Sequence, residues 1–177
     1  MKKISNNELK KYAAGIKYFF TDVDGTLTNG KSFYSIEGEI LKQFSLRDGT
    51  GFYLLKKLGI EAGIITGENS EIVSRRAEKL SLKLCFLGIG NKLACIENFS
   101  KEANCNLNEI AFIGDDLNDY EIMQNVGISF CPSDAHYKIK EVSNVVLQNK
   151  GGEEAFREAV EQLIYYRGED LMEVFNR

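Results

Sequence analysis

Short apolar runs alternate with amphipathic segments along most of this chain, and that alternation restricts its fold more than any other feature. Runs at Tyr18–Thr21, Glu61–Ile65, 84–87, Ile110–Ile113, Ile128–Cys131 and 145–147 read as buried strands. Between and after them the spacing predicts helices over 51–58, 70–80, 92–103, 118–126, Tyr137–Val142 and 153–166. Strands joined through helices of about ten residues need crossover connections, so the expected class is α/β, with a mainly parallel sheet covered on both faces. Residues 6–14 read as a short helix ahead of the domain. Residues 31–35 and 39–45, separated by Ile36-Glu37-Gly38, read as a β-hairpin with Gly38 in its turn. The expected organisation is a helical extension over 1–15, one domain over 16–166, and a tail over 167–177 that either frays or docks on a neighbour.

Composition removes several function classes. At 177 residues, 44% hydrophobic and 27% charged, the chain fits one globular domain with a substantial core. A net charge of −4 without a Lys/Arg cluster argues against a nucleic-acid surface. Cys85, Cys95, Cys105 and Cys131 show no CxxC spacing, and the lone His136 builds no zinc site with them. These thiols fit a reducing cytoplasm. No apolar run approaches a membrane span and no leader-like segment follows Met1, so a cytoplasmic location and no membrane partner are expected.

The residues directly after the strands carry the chemistry. Strand one runs into Asp22-Val23-Asp24-Gly25-Thr26, the next into Thr66-Gly67, and a later one into Gly114-Asp115-Asp116, with Asn118 and Asp119 just beyond; Lys92 opens the intervening helix. In a parallel sheet all of these fall on one rim, where ligands of open α/β sheets bind. By itself a DxDG is also what a capped turn looks like. Together the groups suit phosphoryl transfer. Asp22 and Asp115, with the main-chain carbonyl of Asp24, can hold Mg²⁺, a hard cation that takes oxygen ligands. One Asp carboxylate can be the nucleophile, and the carboxylate two residues on can protonate the leaving alkoxide and later deprotonate water. The Thr66 hydroxyl and Lys92 ammonium can bind the non-bridging phosphate oxygens.

Residues 22–28, Ile65-Thr66-Gly67, Lys92 and Gly114-Asp115-Asp116-Leu117-Asn118-Asp119 resemble, in order and placement, the four motifs of the haloacid dehalogenase superfamily of phosphatases. The resemblance implies a Rossmann-like three-layer sandwich, Asp22 as nucleophile, Asp24 as acid/base and Asp115 as metal ligand. Asp116, Asn118 and Asp119 are then supporting residues, with Asp116 and Asp119 orienting water or Lys92. Members of the family usually carry a cap domain, whereas here only the hairpin follows the first motif. A capless site is open to water, so a ring-like oligomer is expected in which the hairpin, with Phe33, Tyr34 and Phe44, covers a neighbour's site. The alternative is a hairpin lying on its own domain.

From Ile16 to Leu163 the chain resembles the capless, tetrameric phosphatases of 2-keto-3-deoxy sugar acids, through residues 44–49, 71–80 and 151–158. That resemblance implies a homotetramer and a sugar acid phosphate bound by Thr66, Gly67, Glu68, Arg76, Lys79, Arg47, Asp48 and Lys92. Enzymes for eight-carbon acids typically place Arg after Thr-Gly and another Arg in the helix after Arg-Asp-Gly; this chain has Glu68 and Tyr53 there. Thr66-Gly67-Glu68, Arg76 and Lys79 are similar to the enzymes for nine-carbon acids of the KDN and sialic acid type. Arg47-Asp48-Gly49 is more similar to the eight-carbon group. The expected substrate is a nine-carbon 9-phosphate, and the alternative is 3-deoxy-D-manno-octulosonate 8-phosphate. A phospho-receiver or a non-catalytic oligomerisation module is disfavoured by the intact Asp22 and Asp24. Gly151-Gly152 reads either as the turn into a helix or as a segment approaching a neighbour's site.

Overall fold

The computed structural model describes residues 5–177. Six parallel strands form one sheet: β1 (Tyr18–Thr21), β4 (Glu61–Ile65), β5 (Leu84–Phe86), β6 (Ile110–Ile113), β7 (Ile128–Cys131) and β8 (Val145–Val146), in the order β5-β4-β1-β6-β7-β8. The chain runs outward from β1 through β4 to β5, then returns to the other side of β1 to lay down β6. That reversal opens a crevice at the carboxyl end of β1, as in other doubly wound sheets. Thr21 pairs with Ile64 of β4 and Ile113 of β6, so all three strands end level with one another.

Strand periodicity sends alternate residues to opposite faces. Phe19 of β1 enters one apolar cluster with Ala111 and Ile113, while Phe20 enters the other with Ile110 and Phe112. The first face is covered by α1 (Asn6–Gly15), α2 (Asp48–Lys57), α3 (Glu71–Lys79), α7 (Ala155–Arg167) and α8 (Leu171–Phe175). The second is covered by α4 (Lys92–Glu102), α5 (Tyr120–Asn125) and α6 (Tyr137–Val142). Buried Leu9 and Ala13 place α1 in the main core, and Arg167 donates to the Ala13 carbonyl at 2.9 Å.

Three differences from the expected elements bear on function. Helix α2 begins three residues early, which makes Asp48 its first residue and buries it. The segment expected as a helix over 118–126 opens as a 3-10 turn, Leu117–Asp119, before α5. The tail is ordered: Asp170 caps α8, Val174 is fully buried, and Phe175 packs edge-on against Tyr53 at 5.6 Å. Its docking partner is this chain's own α2 and α7.

The hairpin pairs β2 (Ser32–Ser35) with β3 (Gly38–Lys42), antiparallel and irregular between Phe33 and Tyr34. Phe33, Tyr34, Ile36, Ile40 and Leu41 are exposed. Among the described residues no helix is long and apolar enough to cross a membrane. The expected extension over 1–15 extends past the described residues at 1–4.

Candidate active site

Strand register builds the site. Asp22 follows the last residue of β1 and donates its N–H to the Ile113 carbonyl at 2.9 Å, which fixes its backbone against β6. Thr66 follows β4 and is buried; Asp115 lies two residues past β6. Lys92 opens α4, where Asn91 caps the helix by accepting from the Ala94 N–H at 2.9 Å. The four positions expected on one rim are therefore on it.

The Lys92 ammonium is the centre of the arrangement. It is 2.7 Å from Oδ1 of Asp22 and 2.6 Å from Oδ1 of Asp119, and all three side chains are almost wholly buried. An ammonium has three donors, so one remains for a ligand. Oδ2 of Asp119 accepts from the N–H of Asp115 at 3.0 Å and of Asp116 at 3.4 Å. Both oxygens of Asp119 are thus engaged, one by Lys92 and the other by the Asp115 loop. Asp116 caps the same turn through the Leu117 N–H at 2.8 Å, and Asn118 is exposed beside it.

One carboxylate oxygen from each of Asp22, Asp115 and Asp119 lies within 4.8 Å of the others. Burial, then the charge of Asp119, pushes Asp22 up to about 7 despite Lys92. Burial, then the charges of Asp22 and Asp119, pushes Asp115 up to about 8, against the Thr26 hydroxyl that donates to it at 3.2 Å. Carboxylates gathered in this way repel one another, and a hard divalent cation with oxygen ligands is the group that relieves them. The donor set fits such an ion.

Asp24 faces a different set of partners. Its Oδ1 accepts from Lys42 at 2.6 Å and from the Thr28 hydroxyl at 3.3 Å. Lys42, on β3, was not anticipated from sequence, because nothing local distinguishes it from the other exposed-looking charges of the hairpin. Only the fold-back of the strand pair over the Asp24 loop reveals it. The loop itself depends on two glycines. Gly25 has φ +95, and a Cβ there would sit 2.0 Å from Oδ2 of Asp115; a Cβ on Gly151 would sit 1.8 Å from the Gly25 carbonyl oxygen. Gly152 donates to the Thr26 carbonyl at 2.9 Å, so within this chain the Gly151-Gly152 segment is a buttress for the first motif.

The expected substrate residues divide. Thr66, whose Oγ1 accepts from the Glu68 N–H at 3.2 Å, lies at the rim with exposed Gly67 and Glu68. Arg76 and Lys79 meet partners other than the rim carboxylates Asp22, Asp24 and Asp115. Helix α3 starts at the rim and runs away from it, so its sixth and ninth residues lie about 8 and 12 Å along the axis from its first. Arg76 donates to the Ser45 carbonyl at 3.1 Å and stacks over the Phe44 ring at 5.4 Å, tying down the segment that leads into α2. Lys79 is exposed beside a cleft that includes Gly59 and Glu61, at the amino-terminal end of β4, away from the rim. Phe44 packs on its own core, so it is not one of the hairpin residues free to cover a neighbour. Asp48 accepts from the Arg157 N–H at 3.0 Å, joining the starts of α2 and α7, and burial pushes it up to about 6. Exposed Arg47 pairs with Glu154 at 2.5 Å.

Comparison with known proteins agrees with this geometry. A family model of haloacid dehalogenase-like hydrolases matches residues 67–153. A 3-deoxy-D-manno-octulosonate 8-phosphate phosphatase of Haemophilus influenzae is 37% identical over 153 residues, covering 86% of this chain and 85% of that one. The Moraxella catarrhalis octulosonate 8-phosphate phosphatase, solved with magnesium, phosphate and KDO, superposes with a TM-score of 0.87 at 34% identity, covering 92% of this chain and 93% of its own. A cobalt-bound Haemophilus influenzae phosphatase of the same type gives 0.88 at 34% identity, covering 94% and 99%. The chain belongs to the haloacid dehalogenase superfamily, in its capless subclass, and is a phosphoric monoester hydrolase.

Proposed function

We propose that this chain is a Mg²⁺-dependent phosphatase of 3-deoxy-D-manno-octulosonate 8-phosphate that works through an aspartyl-phosphate on Asp22. The observation that carries the proposal is the buried Lys92 ammonium shared between Asp22 and Asp119, with Asp115 alongside. Eight carbons replace the nine expected from sequence for two reasons. The relatives reported above act on the eight-carbon acid. Arg76, one of the residues that favoured nine carbons, is occupied by Ser45 and Phe44.

An Asp22 carboxylate oxygen attacks phosphorus while the ester P–O bond breaks and its electron pair stays on the sugar oxygen. Asp24 gives that oxygen its proton. Asp24 then takes a proton from water, which attacks the same phosphorus and frees the Asp22 carboxylate and inorganic phosphate. Lys92, through its remaining donor, and the Thr66 hydroxyl bind non-bridging oxygens, and Asp119 keeps Lys92 in place. Mg²⁺ held by Asp22, Asp115 and the main-chain carbonyl of Asp24 would supply the positive charge that lets an anionic nucleophile approach an anionic ester. Gly67, Glu68 and Arg47 are proposed to meet the sugar acid.

A homotetramer belongs to the same proposal, with the exposed apolar residues of the hairpin covering an adjacent site. Such a patch on a small domain marks an interaction surface. A cytoplasmic location is supported by the four unpaired cysteines. The test is parallel turnover of the eight-carbon 8-phosphate and a nine-carbon 9-phosphate, with Mg²⁺ and with chelator. Preference for the eight-carbon ester, abolished by chelation, is expected; preference for the nine-carbon ester would reverse the substrate assignment.

A further inference from the structure

The carboxyl group of Asp24 is held unevenly. Oδ1 has two donors, the Lys42 ammonium at 2.6 Å and the Thr28 hydroxyl at 3.3 Å. Oδ2 is buried and has no hydrogen-bond partner among the described residues. A buried carboxylate oxygen left without a donor is costly and calls for an explanation. Lys42 is itself unusual: its side chain is only 3% exposed, and its second carboxylate partner, Glu39, lies at 2.8 Å. Glu39 accepts in turn from the Ser70 hydroxyl at 2.5 Å, at the start of α3, and from the Ser32 hydroxyl across the hairpin. The ammonium is therefore held between Asp24 and a Glu39 that is itself held by Ser32 and Ser70. A long flexible side chain buried and held in this way gives up rotamer freedom to sit at one place.

We infer that Lys42 is a positioning residue for Asp24: with Thr28 it anchors Oδ1, so that Oδ2 is the oxygen that carries the transferable proton. In the first half-reaction that proton moves from Oδ2 to the ester oxygen as the P–O bond breaks. The carboxylate left behind is stabilised by the ammonium on Oδ1. In the second half-reaction a proton from the attacking water returns to Oδ2. The inference rests on the proposed acid/base role of Asp24, and it makes the hairpin a working part of the site of its own subunit.

Leaving groups separate this role from a merely structural one. An alkoxide needs a proton as it departs, whereas p-nitrophenolate departs without one. The measured quantity is kcat/KM, which stops at the first irreversible step, with Mg²⁺ present. Lys42→Met is expected to lose more on a sugar or simple alkyl phosphate than on p-nitrophenyl phosphate by about tenfold or more, a part of the roughly 10²–10⁴-fold that general acid catalysis supplies. Lys42→Arg should recover most of the difference. Thr28→Val, which removes the other donor on the same oxygen, should show the same bias to a smaller degree, and it keeps the inference testable where Lys42→Met does not fold. Equal losses on both ester types, or no loss, would overturn it. Asp24→Asn is run alongside. If it spares the alkyl ester, the acid/base assignment itself is wrong; if it does not, while Lys42→Met and Thr28→Val show no bias, only the positioning inference falls.

Discussion

Gly25 lies under Asp115 so closely that a single added methyl would fall 2.0 Å from Oδ2 of that carboxylate. The first motif and the fourth are thus interlocked by the absence of a side chain. Gly25→Ala would have to adopt φ +95 and displace Asp115 as well. The backbone strain alone costs about 1–3 kcal/mol. A shift of the carboxylate by about 1 Å is enough to lower turnover about 100-fold. Steady-state kinetics with a parallel melting curve should show both losses, and an Ala variant with native kcat/KM would contradict the interlock.

Removing the ammonium from the buried carboxylates should be costly. Lys92→Met leaves Asp22 and Asp119 in the interior without their cation, a change of about 3–5 kcal/mol for a broken buried pair. The deficit should be largest above neutrality and shrink in acid, where the carboxylates protonate and no longer need the ammonium. Denaturant titrations of both proteins at several pH values test this; a deficit independent of pH would count against it.

The acidic cluster also predicts how metal and pH interact. Asp22, at about 7, and Asp115, at about 8, bind protons more tightly folded than unfolded. The stability they contribute without metal is therefore complete below their ordinary carboxylate range and is lost as pH rises through about 7 to 8. A divalent ion competes with those protons. Mg²⁺ should accordingly raise the melting temperature of chelator-treated protein more at about pH 8 than at about pH 5.5. Equal shifts at the two pH values, read by scanning calorimetry, would place the ion elsewhere.

The ordered tail has its own consequence. Val174, on the inner face of α8, is fully buried, so Val174→Ala should cost about 1–3 kcal/mol through lost burial and the cavity left behind. A melting temperature unchanged by the substitution would mean that the segment is frayed in solution.

What could be read from sequence follows what is local. The strands of the sheet announced themselves through short apolar runs, and the parallel crossover rule alone sufficed to bring Asp22, Thr66, Lys92 and Asp115 to one rim. Residues defined by longer-range geometry did not announce themselves. Lys42 becomes significant only once the hairpin folds back on Asp24. Arg76 and Lys79 share one face of a helix, as their spacing required, but spacing carries no information about which end of the helix meets the rim. The last helix is only five residues long. Its periodicity is too brief to register, and it is held by burial of Val174 together with the contact between Tyr53 and Phe175.

Phosphoryl transfer to Asp22 can be tested directly by quenching the enzyme during turnover of the octulosonate 8-phosphate with Mg²⁺, reducing it with borohydride and sequencing its peptides by mass spectrometry. An acyl phosphate on Asp22 would be reduced to homoserine at position 22 and at no other aspartate. Label at Asp24 or Asp115, or none while phosphate is being released, would contradict the account.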